Sequence, residues 1–250
     1  MEVIVSNKLY GGTINLMDKS FRKFGWNAVF VDNDNPEAFR AAVTEKTRAI
    51  FVESLANPGG VIVDLEAIAK IAQEAELPLI VDNTMATPWL CRPFEWGADL
   101  VVHSTTKFLS GQGNAMGGIV IDSGRFPWFG NAKYPSLSEP CPDYNGLTFA
   151  ETFGDMAFTL YSHAVSLRDL GCTQSPMNAW ITLNGVETLP LRMERHVENA
   201  QKVAGFLQQH PSVEWVSYAG LSSSPYYQLA QKYLHGKAGS VFTFGIRGGY

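Results

Sequence analysis

Apolar residues in the first half of the chain come in short runs that stop abruptly in polar ones. Glu2–Val5 runs into Ser6-Asn7-Lys8-Leu9-Tyr10-Gly11-Gly12-Thr13, and Ala49–Val52 into Glu53-Ser54-Leu55-Ala56-Asn57-Pro58-Gly59-Gly60. Leu79-Ile80-Val81 ends in Asp82-Asn83-Thr84, and Leu100-Val101-Val102 in His103-Ser104-Thr105-Thr106-Lys107. Short runs of this kind predict strands buried on both faces of a parallel sheet. Ala28–Val31 and Gly118–Ile121 predict two more. Helical patterns lie between them: Asn15–Phe24 stopped by Gly25, Pro36–Val43 with proline in its first turn, and a helix to Ala75 capped by Asp64. In that last helix Leu65, Ile68, Ala69, Ile71 and Ala72 fall on one stripe. Strands alternating with helices predict an α/β fold of right-handed βαβ units, with a mostly parallel sheet sandwiched by helices.

The pattern changes after Gly124. RFPWFGNAKYPSLSEPCPDYNGL is rich in proline and aromatic residues, has no period, and predicts a long functional or interfacial loop. Helices are predicted over Ala150–Gly171 and Asn178–Leu189, followed by a long amphipathic one over Leu191–Gln209 that Pro211 ends. Val213–Tyr218 and Gly239–Ile246 predict strands of a different layer. A boundary near residue 180 divides the chain into a large domain, 1–180, incomplete at its N-terminus, and the start of a smaller α+β domain, 181–250, also incomplete.

Composition narrows the function classes. The chain has 250 residues, 46% of them hydrophobic and 17% charged, which is a globular rather than a disordered balance. A net charge of −5 gives no electrostatic footprint for nucleic acid. No window reaches the roughly 18 apolar residues of a membrane span, and MEVIVSNKLYGG is no signal peptide. Cys91, Cys141 and Cys172 are widely spaced with no CxxC, which argues against a disulfide framework or a metal site. These features predict a cytoplasmic protein with reduced thiols. No strand is followed by G-x-G-x-x-G, so a dinucleotide-binding module is not predicted.

The candidate chemistry lies in Pro78–Gly118. In a parallel sheet, ligand groups gather where strands end. Two strand ends would therefore deliver an acid, Asp82, and an amine, Lys107, to one sheet edge. An amine beside two hydroxyls and opposite a carboxylate is what a pyridoxal 5'-phosphate (PLP) site requires. Lysine forms the Schiff base, aspartate pairs with the pyridinium nitrogen, and serine and threonine hydroxyls hold phosphate.

Together, LYGGT at 9–13, ES-x-x-NP at 53–58, VDNT-x-ATP at 81–88, HS-x-TKF at 103–108 and G-x-G-x-x-x-GG at 111–118 resemble the Cys/Met-metabolism family of PLP-dependent enzymes. The resemblance covers essentially the whole chain and implies the fold-type-I PLP-dependent transferase architecture. Within the family, LCRPFEWGADLVVHSTTKF, LSEPCPDYNGL, LRDLG and LRMERHVENA are most similar to O-acetylhomoserine sulfhydrylases. The implied activity replaces the acetate of O-acetyl-L-homoserine by sulfide or a thiol, giving homocysteine or methionine. The family also implies a tetramer built from dimers that share active sites.

By the same resemblance Lys107 matches the Schiff-base lysine and Asp82 the carboxylate facing the ring nitrogen. Ser104 and Thr106 match the phosphate hydroxyls, and Tyr10 the ring stacked on the cofactor, where it can also act as acid or base. Asn57 matches an asparagine near the cofactor oxygen and substrate carboxylate, with a structural turn before Pro58 as its rival. Thr84 either supports Asp82 or the ring, or is a turn residue. His103 falls on the opposite strand face and reads as structural, and Glu53 has at most a supporting place. Two family parts fall outside the sequence: a phosphate loop with a tyrosine and arginine lent by a neighbouring subunit, upstream of Met1, and the substrate-carboxylate arginine, downstream of Tyr250. A fragment or truncated product that binds the cofactor weakly is therefore expected. The alternatives are cystathionine γ-synthase, cystathionine γ-lyase or methionine γ-lyase chemistry on the same scaffold, or a non-catalytic remnant.

Overall fold

The computed structural model describes residues 1–249; Tyr250, the last residue of the predicted second domain, lies outside them. In chain order the strands are β1 (Glu2–Ser6), β2 (Asn27–Val31), β3 (Thr47–Glu53), β4 (Leu55–Ala56), β5 (Val61–Ile62), β6 (Leu79–Asp82), β7 (Leu100–Ser104), β8 (Gly118–Asp122), β9 (Val213–Ser217) and β10 (Thr243–Ile246). Six of them form one sheet in the order β2-β1-β3-β6-β7-β8. The first five in that order are parallel, as the alternating pattern predicts. β8 runs antiparallel to β7, with Gly118 opposite Ser104. The chain turns back through 105–117 without a crossover helix, and a parallel return needs one.

The pleat divides each strand between two layers. Ile4, Ile50, Val52, Leu79, Val81 and Val101 point to one face, where Leu65, Ile68, Ile71 and Ala72 of helix Leu65–Glu74 cover them. Asp64 caps that helix as predicted, accepting the Ala67 N–H at 3.3 Å. Val5 and Phe51, with half-buried Ile80 and Val102, point to the other face, against Met17 and Phe21. The latter two lie on a helical segment of three successive pitches, Gly11–Asn15, Leu16–Ser20 and Phe21–Phe24, which begins four residues before its predicted start. It ends at Gly25, whose φ of 78° gives the left-handed stop predicted there.

Leu189, Met193, Val197, Ala200 and Ala204 of helix Leu189–Gln209 belong to the same buried cluster as Ile68 and Leu79, so the stretch predicted as a second domain shares the main core. β9 and β10 pair antiparallel in a separate ribbon. The predicted strand Gly239–Ile246 is shorter than expected and begins only at Thr243. Gly239 instead offers its carbonyl to the buried Tyr218 hydroxyl at 2.9 Å. The predicted helix Ala150–Gly171 is broken: it changes pitch across Gly154, at φ 55°, and helical structure stops at Leu167. The long aperiodic stretch is held by packing, because Phe126, Trp128, Leu137 and Phe149 build a small aromatic core of their own. Among the described residues no helix is long and apolar enough to cross a membrane.

Ile50 is fully buried at the middle of β3, between β1 and β6. Ile50→Ala is expected to cost about 2–5 kcal/mol through lost burial and the cavity left behind. Urea unfolding measures this, and a loss well under 1 kcal/mol would contradict the central place given to β3.

Candidate functional site

Because β1, β3, β6 and β7 are parallel neighbours, Ser6, Glu53, Asp82 and Ser104 end side by side at one edge of the sheet. The pleat then selects a face. Glu53 is in step with Phe51, Asp82 with Ile80 and Ser104 with Val102, so all three point to the face that carries the helical segment 11–24. His103 is in step with Val101 and points the other way, as predicted. It is 4% exposed, and burial pushes its imidazole down to about 4, keeping the ring neutral.

Asp82 is half-buried, and one carboxylate oxygen accepts the Thr84 N–H at 2.9 Å. Burial pushes its carboxyl up from the ordinary value, against the hydrogen bonds from Thr84. Among the described residues no basic side chain pairs with it. A half-buried carboxylate without a counter-charge suits a cationic ligand group. The turn after it is pinned on both sides. The fully buried Asn83 accepts the Ser54 hydroxyl at 2.6 Å and donates to the Cys91 carbonyl at 2.8 Å. Thr84 has a definite task, its hydroxyl accepting the Ser104 N–H at 2.8 Å. A hydrogen-bonded chain thus runs from Asp82 through Thr84 to the strand end before Lys107.

Lys107 sits exposed in the turn Thr105–Leu109, where the backbone leaves helical geometry at the lysine itself, φ −88° and ψ −125°. Of the two hydroxyls predicted beside it, that of Ser104 has no protein partner among the described residues. Thr106 uses its hydroxyl on the glycine loop, accepting the Gly117 N–H at 3.1 Å and donating to its carbonyl at 3.3 Å. Gly117 leaves no room for a side chain, since a Cβ there would lie 2.7 Å from the Thr105 hydroxyl. The Gly-Gly of the predicted motif thereby folds back on the lysine turn.

Tyr10 ends the segment after β1, with its ring 51% exposed and lying over Gly12. Its N–H donates to Glu53 Oε1 at 2.6 Å, and the Asn57 N–H donates to Glu53 Oε2 at 3.2 Å. Tyr10 and Asn57 are thereby gathered around one carboxylate that the pleat sets opposite Asp82. Glu53, given at most a supporting place from sequence, is 4% exposed and lies at the centre of this edge. Its signal was a charged residue ending an apolar run in step with Asp82. Arg192, in LRMERHVENA, was not singled out by sequence. Its guanidinium donates to the Phe108 carbonyl at 2.9 Å, the Gly185 carbonyl at 2.6 Å and the Thr188 hydroxyl at 3.0 Å, bracing the residue after Lys107.

The residues fit PLP. An exposed amine, an uncompensated half-buried carboxylate, a free hydroxyl and a half-exposed aromatic ring lie along one sheet edge. A family model described as "Cys/Met metabolism PLP-dependent enzyme" matches residues 1–250. The O-acetyl-L-homoserine sulfhydrylase of Leptospira meyeri is 50% identical over 99% of this chain. The chain spans 58% of that relative's length. A solved O-acetylhomoserine (thiol)-lyase from Campylobacter jejuni, which carries a pyridoxyl-lysine monophosphate, superposes with a TM-score of 0.95 at 39% identity, over 98% of this chain and 61% of that one. An O-acetylhomoserine sulfhydrylase from Wolinella succinogenes superposes at 0.85 with 34% identity, over 98% and 66%.

Burial also sets a pH dependence. Glu53 is pushed up to about 7, chiefly by desolvation and secondarily by Asp82, so the folded state holds its proton while the unfolded chain has released it. Its ionisation therefore lowers stability by about 3 kcal/mol as pH rises from about 4.5 through 7. His103 acts in the opposite sense: the unfolded imidazole gains a proton below about 6.5 that the folded one refuses, so stability falls as pH drops toward 4. Between about 4.5 and 6.5 the two nearly cancel. Glu53→Gln removes one arm, so the variant should lose stability on acidification across that window much more steeply than the wild type. Melting temperatures from pH 4 to 8 would show it, and parallel curves would refute the assignment.

Proposed function

Because the chain belongs to the Cys/Met-metabolism family of PLP-dependent enzymes, we propose that it holds PLP at this sheet edge and replaces the acetate of O-acetyl-L-homoserine by sulfide or a thiol. The observation that carries the proposal is the delivery of Asp82 and the Lys107 turn by neighbouring parallel strands to one edge of the sheet. The sulfhydrylase relatives support this substrate over the sibling lyase chemistries.

PLP, when bound, supplies an electron sink for the carbanion at the substrate's α-carbon. The chain's residues divide the remaining work. Lys107 Nζ would hold the cofactor and move protons at the substrate's Cα and Cβ. The Asp82 carboxylate keeps the proton on the ring nitrogen, and its lack of any other counter-charge makes that cation the favourable partner. Tyr10 would cover one ring face, and the Ser104 hydroxyl would meet the phosphate; Thr106 would join it by turning its hydroxyl proton from the Gly117 carbonyl. Asn57 would serve the ring oxygen and the substrate carboxylate, and Thr84 holds Asp82 in place. Residues 1–180 form the cofactor-binding part and 181–250 a smaller part whose long helix packs into the same core. The working enzyme is cytoplasmic and oligomeric, its sites shared between subunits.

The test is the visible spectrum of the purified chain with added PLP, beside Lys107→Ala. A band of lysine-linked PLP is expected in the wild type and is lost in the variant. A band of equal strength in both would refute Lys107 as the attachment point. Homocysteine from O-acetylhomoserine and sulfide, without α-ketobutyrate from methionine alone, would separate the sulfhydrylase from a γ-lyase.

A further inference from the structure

Three residues placed around the cofactor come from different segments: Tyr10 after β1, Asn57 after β4 and Asp82 at the end of β6. Loops carry much of the chemistry of enzymes, and their spacing has to be fixed by something rigid. We propose that Glu53 is a positioning residue that sets the Tyr10 and Asn57 loops relative to Asp82, holding one backbone N–H from each loop on a separate carboxylate oxygen. The proposal rests on the PLP reading of the site and goes beyond it by assigning a task to a residue that need not touch cofactor or substrate.

The geometry asks for a carboxylate in particular. Each oxygen takes a different N–H, at 2.6 Å from Tyr10 and 3.2 Å from Asn57. A glutamine of the same length offers one acceptor oxygen, and its NH2 group would face an N–H. An aspartate reaches one methylene less far. The side chain is 4% exposed, so water does not replace a lost partner, and an unpaired buried N–H is costly. Glu53 also lies beside Asp82 in the strand register, with no basic side chain among the described residues paired to either. A stabilising turn alone would not require a buried acid beside a half-buried one; a neutral acceptor would serve it without the repulsion. A cationic ring docked against Asp82 offsets that repulsion, so the clamp and the cofactor favour each other. The groups facing Glu53 are the Asp82 carboxylate and the two loop N–H donors. Protonation of Glu53 turns one acceptor into a donor and releases one loop, and its elevated affinity for a proton places that release near neutrality.

Hydrogen exchange read by mass spectrometry on the whole chain, with and without PLP, tests the clamp in wild type and Glu53→Gln. At least one of the peptides covering 7–12 and 55–60 is expected to exchange about tenfold faster in the variant, the effect of losing one charge-assisted hydrogen bond. Peptides from β6 and β7 should keep their protection. PLP affinity should fall by about the same factor, while the lysine-linked band still forms at saturating cofactor. Wild-type protection in both loops, or protection lost across the whole sheet, would overturn the proposal. Should Glu53→Gln fail to fold, wild type at pH 6 and pH 8, corrected for intrinsic exchange, gives the same decision: loosening at pH 6 confined to one or both of these loops supports the clamp, and equal protection refutes it. Absence of the PLP band from the wild type would count against the cofactor reading alone, because exchange in the unliganded chain still judges the clamp.

Discussion

Parallel pairing of β1, β3, β6 and β7 is the constraint on which the rest of this structure depends. Parallel strands need both faces covered, which is why their sequences are apolar throughout and why helices lie between them. The same pairing brings their C-terminal ends to one edge, where the apolar runs give way to Glu53, Asp82 and Ser104. The residues that leave the core are thus the ones that can meet a ligand. The pleat does the finer sorting, keeping His103 in the packed layer while turning Ser104 toward the other face.

The electrostatics of that edge follow from its burial. Glu53 and Asp82 are opposite one another on paired strands, and desolvation raises both. Two acids beside each other in a poorly hydrated place weaken the fold unless each is held. Glu53 is held by two backbone N–H groups and Asp82 by Thr84, so the donors come from the loops that bear Tyr10, Asn57 and the Asp82 turn. Charge that would otherwise be a liability thereby orders the loops of the candidate site. On the far side of the Lys107 turn, Arg192 plays a comparable part with its three donors.

The main sheet and its helices could be picked out along the chain because their signals are local, and the family motifs offered Lys107, Asp82, Ser104, Thr106, Tyr10, Asn57 and Thr84 as candidate site residues. Apolar runs end in polar residues, caps and stops fall where propensity puts them, and the spaced motifs fix the family. Where prediction failed, the deciding contact was distant. The direction of β8, on which the local pattern is silent, depends on how 105–117 folds back through Gly117. Residues 239–242 leave the predicted strand, and Gly239 meets Tyr218 across the core. Glu53 is marked locally only as a charge ending an apolar run, and Arg192 not at all, since Tyr10 lies 43 positions from the one and Phe108 84 from the other.

The sequence by itself determined the strand and helix periods of the main sheet, the family and the kinds of groups that end its strands, because hydrophobic period and residue chemistry are properties of short segments. The tertiary structure alone decided which face each strand end presents, which hydroxyl stays free and which carboxylate gathers the loops. Those depend on register and on backbone donors from remote segments, and no single stretch of the chain specifies them.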